Sequence, residues 1–383
     1  QAFKIKDVKN LKKFKIKEKK KPKINLSRFI KGLNRSKKPL FIIGNGLKQS
    51  KTESEFKKFV KKYKIPFVTS RFALDLFPYS MRENMGLLGI KGTLYGERLV
   101  KECDLIISLG CRLAPTLTFG NASHFSKNKK IFSVNNDKNE LNNQLINIKE
   151  KICTDLDTFF KKIDKNKINI KNIKWLNKCI DLKTSNPIRD INKISYPLNL
   201  YQFMYELCEN SKKDHILVTD AGSNYYVAGQ AWRFEKGQKE IASTTNAAMG
   251  LSVPLSIGAA VASNKQILSV TGDGSIELNI QELKTISHYN LNIKTFVINN
   301  GGYASMKKWQ DDYFKGNRLD TKEKTGVGTM NFKKIADAFD LKYTQIKQAS
   351  EIKDKLKNIF SNKKPMIIEV FTDPNQKIYG KKS

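Results

Sequence analysis

The sequence has few residues of the types that build disulfide frameworks or transition-metal centres. Its 383 residues include five Cys and three His, and no two Cys form a CxxC pair. This scarcity argues against a disulfide-stabilised secreted domain and a structural zinc site, and it predicts reduced thiols in a cytoplasmic protein. No apolar run approaches the length of a transmembrane helix, and no stretch has the order of a signal peptide. We therefore expect no membrane association.

Acidic residues are scarce relative to basic ones. The chain has 71 Lys and Arg against 36 Asp and Glu, a formal net charge of +35. Such an excess is typical of proteins that bind polyanions, for example nucleic acids or anionic membranes. Here the excess is mostly Lys and is spread along the chain, whereas single-strand binding modules combine a basic groove with aromatic residues. A Lys-rich surface without a nucleic-acid partner is favoured, and polyanion binding is the alternative.

Short apolar segments alternate with amphipathic helices in two stretches, which predicts two doubly wound parallel-sheet domains of the α/β class. The boundaries are placed at residues 25–165 for a central domain and 198–383 for a second domain. Residues 166–197 are predicted to be a linker around an amphipathic segment near Trp175. The predicted strands are Pro39–Ile43, Ile65–Ser70, Leu105–Gly110, Ile131–Asn135, Ile216–Thr219, Gln266–Thr271, Lys294–Ile298 and Met366–Phe371.

Two glycines after the first predicted strand, Gly44 and Gly46, match part of a dinucleotide-binding fingerprint. The next position of that fingerprint is Gln49 rather than Gly or Ala, and no acidic residue ends the following strand. A plain strand-to-helix turn is therefore favoured over NAD binding.

Polar residues follow two predicted strands of the second domain. Gly272-Asp273-Gly274-Ser275 ends one strand and precedes a helix predicted from about Ile276 to Tyr289, and Asn299-Asn300 ends the next strand. Because ligands of doubly wound sheets bind at the carboxyl ends of the strands, these residues share one crevice. Carboxylate, amide and carbonyl oxygens, with phosphate and water, form the octahedral shell that Mg²⁺ prefers. Two unrelated turns are the alternative.

Gly-Asp-Gly, 24 intervening residues and Asn-Asn form the pattern of thiamine diphosphate-dependent enzymes. The sequence around this motif resembles the acetolactate synthase large subunit, and the resemblance covers roughly residues 38–378. Further segments similar to that family are Met249–Ala259, Gly86–Thr93, Glu102–Arg112, Trp309 and Glu369–Pro374.

The resemblance implies a site for thiamine diphosphate and Mg²⁺ in the second domain. Its metal ligands would be Asp273, Asn300 and the backbone carbonyl of Gly302. The expected cofactor contacts are two diphosphate-binding turns and the apolar residue beneath the bent cofactor with its backbone neighbour: Gly222, Ser223, Asn224, Gly274, Ser275, Met249 and Ala247. Core packing is the alternative role for Met249.

Two features of the family have no clear counterpart in this chain. The family's catalytic base is a Glu in an amino-terminal pyrimidine-binding domain, which would precede Gln1. Residues 1–24 are therefore interpreted as a basic linker from that missing domain, and no catalytic residue is assigned. FAD, a cofactor of acetolactate synthases, is doubtful because Thr116 stands where a second Arg is expected after Arg112.

The activity implied by the resemblance is decarboxylation of a 2-oxo acid followed by protonation or carboligation, in a homodimer or homotetramer. By itself the chain is expected to be inactive. The segment Gly301–Met306 is closer to paralogues of sugar and surface-polysaccharide pathways, so a substrate other than pyruvate is an alternative. A polyanion-binding protein and a non-catalytic scaffold are alternatives from other classes.

Overall fold

Two six-stranded sheets form the framework of the protein in a computed structural model. The structure describes residues 24–142, 145–170, 172–186, 197–243, 246–321, 326 and 328–380. Every strand pairing within these residues is parallel, and helices cover both sheets. The predicted fold class, with two doubly wound α/β units, is confirmed. None of the helices described is long and apolar enough to span a bilayer.

The first sheet has the strand order β3-β2-β1-β4-β5-β6. Its strands are β1 (Pro39–Ile43), β2 (Phe67–Thr69), β3 (Asn84–Leu87), β4 (Leu105–Leu109), β5 (Lys130–Asn135) and β6 (Glu150–Cys153). The helices of this unit are Ser27–Arg35, Gly46–Gln49, Glu53–Tyr63, Gly96–Glu102, Ala122–Ser126, Lys138–Leu141, Leu156–Ile163 and Ile173–Thr184, with a 3₁₀ turn at Arg71–Ala73.

The central strands are mostly apolar because both faces of the sheet are buried. Along β1, Phe41 and Ile43 enter one core, whereas Leu40 and Ile42 enter the core on the opposite face. The first core is aromatic-rich, and the Phe41 and Phe56 rings pack edge to face with centroids 5.6 Å apart. This alternation places the helices in a layer on each side of the sheet.

The second sheet has the order β11-β12-β10-β9-β7-β8. Its strands are β7 (Ile216–Thr219), β8 (Lys239–Ala242), β9 (Ile267–Gly272), β10 (Ile293–Asn299), β11 (Lys342–Ile346) and β12 (Met366–Phe371). The helices are Leu200–Asn210, Ser223–Ala231, Ser252–Ser263, Asp273–Ile276, Glu282–His288, Ala304–Tyr313, Phe332–Ala338 and Ile352–Ser361, with 3₁₀ turns at Glu277–Asn279 and Ala349–Glu351.

The segment predicted as a linker contains a helix that packs on the first sheet. Within Ile173–Thr184, Trp175 is 4% exposed and Cys179 is fully buried. The Trp175 Nε1 donates to the carbonyl of Pro39 at 2.9 Å, which ties the helix to the start of β1. The domain boundaries remain a prediction, since residues 1–23 and 187–196 lie outside the described residues.

The two units contact each other through buried apolar and charged groups. Leu74 and Leu87 of the first unit belong to a core cluster of the second. The Arg71 guanidinium pairs with the Glu240 carboxylate, and its carbon lies 4.3 Å from the centroid of the Tyr225 ring. The carboxyl end of β2 is therefore occupied by contacts with the second unit.

The helical segment after β9 differs from the prediction. A first turn begins already at Asp273, three residues early, and a 3₁₀ turn follows before the helix Glu282–His288. Gly272 is extended and acts as the N-cap, and an acidic residue in the first turn is favourable beside the positive end of a helix. The strand therefore passes directly into a helical turn at the predicted metal motif.

Candidate cofactor site

Three loops meet at the carboxyl edge of the second sheet. Strand β7 has its sequence successor β8 on one side and β9 on the other, so the strand order reverses between β7 and β9. Crevices at such a switch point are where doubly wound sheets bind ligands. We call the loop after β7 the first turn (220–224), the loop after β9 the second turn (272–275) and the loop after β10 the third turn (299–302).

Asp273 joins the second and third turns. Its side chain is buried, and Oδ1 accepts the Gly274 N–H at 2.9 Å. Oδ2 accepts the N–H groups of Asn300 at 3.1 Å and Gly302 at 2.9 Å. Burial raises the pKa of Asp273, while these three N–H groups act in the opposite direction. A carboxylate has about four lone-pair sites, so three N–H partners leave room for a cation.

Two buried amide oxygens face this region without a hydrogen-bond partner among the described residues. They are Oδ1 of Asn300, whose side chain is 9% exposed, and Oδ1 of Asn224, which is 3% exposed. The Nδ2 of Asn224 donates to the carbonyl of Ala221 at 3.1 Å, which fixes the orientation of its amide. An unpaired buried acceptor costs about 1–3 kcal/mol, so each oxygen is suited to a ligand or cation.

The structure assigns different roles to the two adjacent asparagines. Asn299 is fully engaged: its Nδ2 donates to Glu369 at 2.6 Å, and its Oδ1 accepts the Gly301 N–H at 3.2 Å. Glu369 also accepts the Tyr343 hydroxyl at 2.5 Å. The ammonium of Lys307 donates to the carbonyl of Gly301. Asn299 therefore holds the third turn, whereas the Oδ1 of Asn300 remains available to a ligand.

The other predicted diphosphate contacts lie at the first and second turns. Gly222 is the N-cap of the helix Ser223–Ala231, and the Ser223 Oγ lies 3.1 Å from the Ser305 Oγ. Ser275 is 7% exposed within the second turn. A Cβ on Gly274 would collide with the Tyr303 ring, so this close approach requires glycine.

Ala247 and Met249 lie on the surface rather than in the core. Ala247 is exposed and has a left-handed backbone with φ of 48°, and Met249 is 37% exposed. Met249 is therefore not packed in the core of the described residues, and its role beneath the cofactor stays a prediction. Other exposed apolar side chains of this unit include Leu278, Met306 and Trp309.

Comparison with protein families decides the class of the chain. A family model for the thiamine pyrophosphate enzyme central domain matches residues 26–163. A second model, for the thiamine pyrophosphate enzyme C-terminal TPP binding domain, matches residues 220–370, which contain all three turns. The chain belongs to the thiamine pyrophosphate enzymes.

Curated relatives of this thiamine pyrophosphate enzyme include acetolactate synthase large subunits. The protein from Cyanidium caldarium is 27% identical over 92% of this chain and 61% of its own length. Those of Lactococcus lactis subsp. lactis (strain IL1403) and Porphyra purpurea are 26% and 29% identical, over 92% and 91% of this chain and 60% and 59% of their own lengths. The chain thus spans about three fifths of the length of these relatives.

The residues of the three turns fit thiamine diphosphate with a hard divalent cation. The described residues contain no group of three His, Cys, Asp or Glu side chains that could hold a metal. Asp273, the unpaired Oδ1 of Asn300 and the Gly302 carbonyl, which accepts the Ala304 N–H at 2.8 Å, would instead offer oxygen donors, the type that suits Mg²⁺ when phosphate and water complete the shell.

Asp220 is a residue of this site that sequence reasoning missed. It is 2% exposed and immediately follows β7. The rule that singled out Asp273 and Asn300, a polar side chain directly after a buried strand, applies equally to Asp220. Asp220 has no glycine on either side, so it lacks the Gly-Asp-Gly pattern that drew attention to Asp273.

Proposed function

We propose that this chain supplies the cofactor-binding part of a thiamine diphosphate- and Mg²⁺-dependent enzyme that decarboxylates a 2-oxo acid and transfers the remaining fragment to a carbonyl acceptor. The observation that carries the proposal is the unpaired, buried Oδ1 of Asn300 beside Asp273 at the switch point of the second sheet. The name of the relatives, acetolactate synthase, supports a 2-oxo acid as substrate.

Each group at the crevice has a proposed task. Asp273, Asn300 and the Gly302 carbonyl hold Mg²⁺. The turns around Ser223 and Ser275 bind the diphosphate. When bound, thiamine diphosphate supplies the carbon that adds to the carbonyl of the 2-oxo acid, and the cofactor accepts the electron pair that the departing CO₂ leaves behind.

Substrate selection is proposed to involve the helix Ala304–Tyr313. It follows the third turn directly, and its Trp309 is 47% exposed. The preceding segment departs from typical acetolactate synthases, which favours a larger 2-oxo acid or a sugar-derived acceptor as the second candidate.

The exposed apolar groups support a covered crevice in the working enzyme. Met249 and Trp309 would be buried by a pyrimidine-binding domain of a second subunit, so we propose a homodimer or homotetramer. We also propose that the enzyme is cytoplasmic. The catalytic base is proposed to lie in that domain. These 383 residues alone are then expected to turn over no 2-oxo acid, and turnover by them would contradict this assignment.

The proposal is tested by calorimetric titration of the purified protein with thiamine diphosphate, with and without Mg²⁺. Binding should require Mg²⁺, and Asp273→Ala should weaken it at least about 100-fold, because the charged metal ligand is lost. The matched control is Asp137→Ala in the first unit, where the carboxylate follows β5 and caps a helix through the Asn139 N–H. If the wild type shows no Mg²⁺-dependent binding, the proposed function is wrong.

A further inference from the structure

A single carboxylate connects the three segments that surround the candidate cofactor site. The Asp220 Oδ1 accepts the N–H of Ala221 at 2.8 Å and that of Gly250 at 2.9 Å. Its Oδ2 accepts the Ser252 N–H at 3.2 Å, the Ser252 hydroxyl at 2.7 Å and the Thr271 hydroxyl at 3.0 Å. Ser252 and Thr271 are fully buried.

The donors belong to three parts of the crevice. Ala221 lies in the first turn, Gly250 immediately follows Met249, and Thr271 immediately precedes Gly272 and Asp273. Ser252 opens the helix Ser252–Ser263. The position of one buried side chain therefore sets the spacing of the proposed diphosphate turn, the Met249 segment and the proposed metal turn.

Asp220 differs from Asp273 in its capacity for a further partner. About four lone-pair sites are available on a carboxylate, and Asp220 receives five N–H or O–H groups, whereas Asp273 receives three. A saturated carboxylate has no lone pair left for a cation. This excludes Asp220 as a metal ligand and leaves it the task of holding the segments around it.

We propose that Asp220 is the positioning residue of the cofactor site, and that it sets the distance between the first turn, Met249 and the second turn. This inference rests on the proposed function. It predicts that a change at Asp220 lowers the affinity for thiamine diphosphate in protein that is still folded, because the three segments would no longer be held in one arrangement.

The test is the isosteric variant Asp220→Asn in the purified protein. One acceptor oxygen becomes an NH₂ group, which then faces N–H and O–H donors. The Kd for thiamine diphosphate at saturating Mg²⁺, measured where circular dichroism shows the variant folded, should rise at least about tenfold. Hydrogen exchange should accelerate at the amides of Ala221, Gly250 and Ser252, while the amides of β9 and β10 keep their protection.

Asp104→Asn is the matched control. Asp104 of the first unit also accepts one hydroxyl, from Ser36, and two backbone N–H groups, from Lys37 and Lys38. This variant should lose stability but bind thiamine diphosphate within about twofold of the wild type. Thr271→Val, which removes one of the five hydrogen bonds, should weaken binding about threefold and serves as the second variant if Asp220→Asn does not fold.

The outcomes separate this inference from the proposed function. If the wild type binds thiamine diphosphate and Asp220→Asn, or Thr271→Val in its place, binds equally well, the positioning role is wrong and the proposed function stands. If protection falls uniformly through the second sheet and affinity falls only with the folded fraction, Asp220 merely stabilises the fold and the inference is wrong. If the wild type binds no thiamine diphosphate, both fail.

Discussion

The first and second sheets both have six parallel strands between two helical layers, yet the loops at their carboxyl edges differ in their hydrogen bonding. In the first sheet, the turns after β1 and β4 lie against each other. The Gly44 N–H donates to the Leu109 carbonyl and the Gly46 N–H to the Gly110 carbonyl, both at 3.0 Å. In the second sheet, the corresponding region holds two buried amide oxygens that no described residue pairs.

This difference shows why strand order alone does not locate a ligand. Both sheets have a switch point, between β1 and β4 in the first and between β7 and β9 in the second. In the first sheet, the backbone groups at that point bond to each other, so the turns are satisfied without a ligand. In the second, Asn224 and Asn300 retain acceptors that are costly to bury unpaired. At these two switch points, the unpaired buried acceptors, rather than the topology, distinguish the proposed ligand site.

The largest expected effect tests the packed edge of the first sheet. A Cβ at Gly44 would overlap the Gly110 carbonyl and lie 2.5 Å from the Cys111 Cα, so Gly44→Ala must push two backbones apart. We expect a loss of about 3 kcal/mol in the free energy of unfolding, with thiamine diphosphate affinity of the folded protein unchanged. Denaturant titration measures the loss.

The matched control for this variant is Gly272→Ala at the end of β9. There the nearest atom to an added Cβ is the Ser275 Oγ at 3.7 Å, which is ordinary contact. This substitution should change stability by less than about 0.5 kcal/mol. Equal losses for the two variants would contradict the comparison of the two edges.

Asn300→Leu is expected to weaken cofactor binding without a loss of stability, which is the opposite of the result expected for Gly44→Ala. The near-isosteric apolar side chain removes the unpaired Oδ1, so the cofactor-free protein should be as stable as the wild type or about 1 kcal/mol more stable. Mg²⁺-dependent binding of thiamine diphosphate should fall about 100-fold, or about 2.7 kcal/mol. Calorimetry and thermal unfolding of the same sample measure both effects.

Asn135→Leu in the first sheet is the counterpart of that substitution. Asn135 ends β5, and its Oδ1 is already engaged because it accepts the Asp137 N–H at 3.0 Å. We expect a loss of about 1 kcal/mol in stability and no effect on cofactor affinity. A stability gain here, or a loss at Asn300, would show that pairing of the amide does not distinguish the two sheets.

The last prediction concerns the pH dependence of the second unit. Burial lowers the pKa of His215 to about 4, with Lys212 and Lys294 contributing in the same direction and Asp214 opposing. The unfolded chain takes up this proton near pH 6.5, whereas the folded protein does so only near pH 4. Stability should therefore fall as the pH drops through this window, by about 2 kcal/mol at pH 5.

Hydrogen exchange at pH 7 and pH 5 resolves this loss by region. The decrease in protection at β7 should exceed that at β1. His215→Asn keeps an acceptor for the Lys212 N–H and should remove the difference, whereas His288→Asn on an exposed helix should not. A pH response that is equal in both sheets, or that survives His215→Asn, would show that another group is responsible.

The strands in the middle of each sheet were predictable, and those at the edges were not. β1, β4, β9, β10 and β12 are mostly apolar and buried on both faces, which is a strong local signal. All four edge strands, β3, β6, β8 and β11, escaped prediction. They are short, and three of them carry charged side chains that face solvent, so their pairing depends on a neighbour that is remote in the sequence.

The candidate site was predictable to the level of its motif but not of its hydrogen bonds. The sequence identifies Asn299 and Asn300 as a pair, and only the register of β10 on β12 shows that Asn299 is opposite Phe371 and near Glu369. Likewise, Asp220 becomes informative only when Gly250 and Thr271, 30 and 51 residues away, are brought to the same carboxylate.

The hydrogen-bonded series from Tyr343 through Glu369 and Asn299 to Gly301 extends from an edge strand to the third turn across β12 and β10. Edge positions exchange side chains more freely during evolution than buried motifs do. A replacement at Tyr343 would therefore adjust metal affinity gradually while the ligands stay unchanged. Relatives with the same metal motif could diverge in their Mg²⁺ requirement through this remote position.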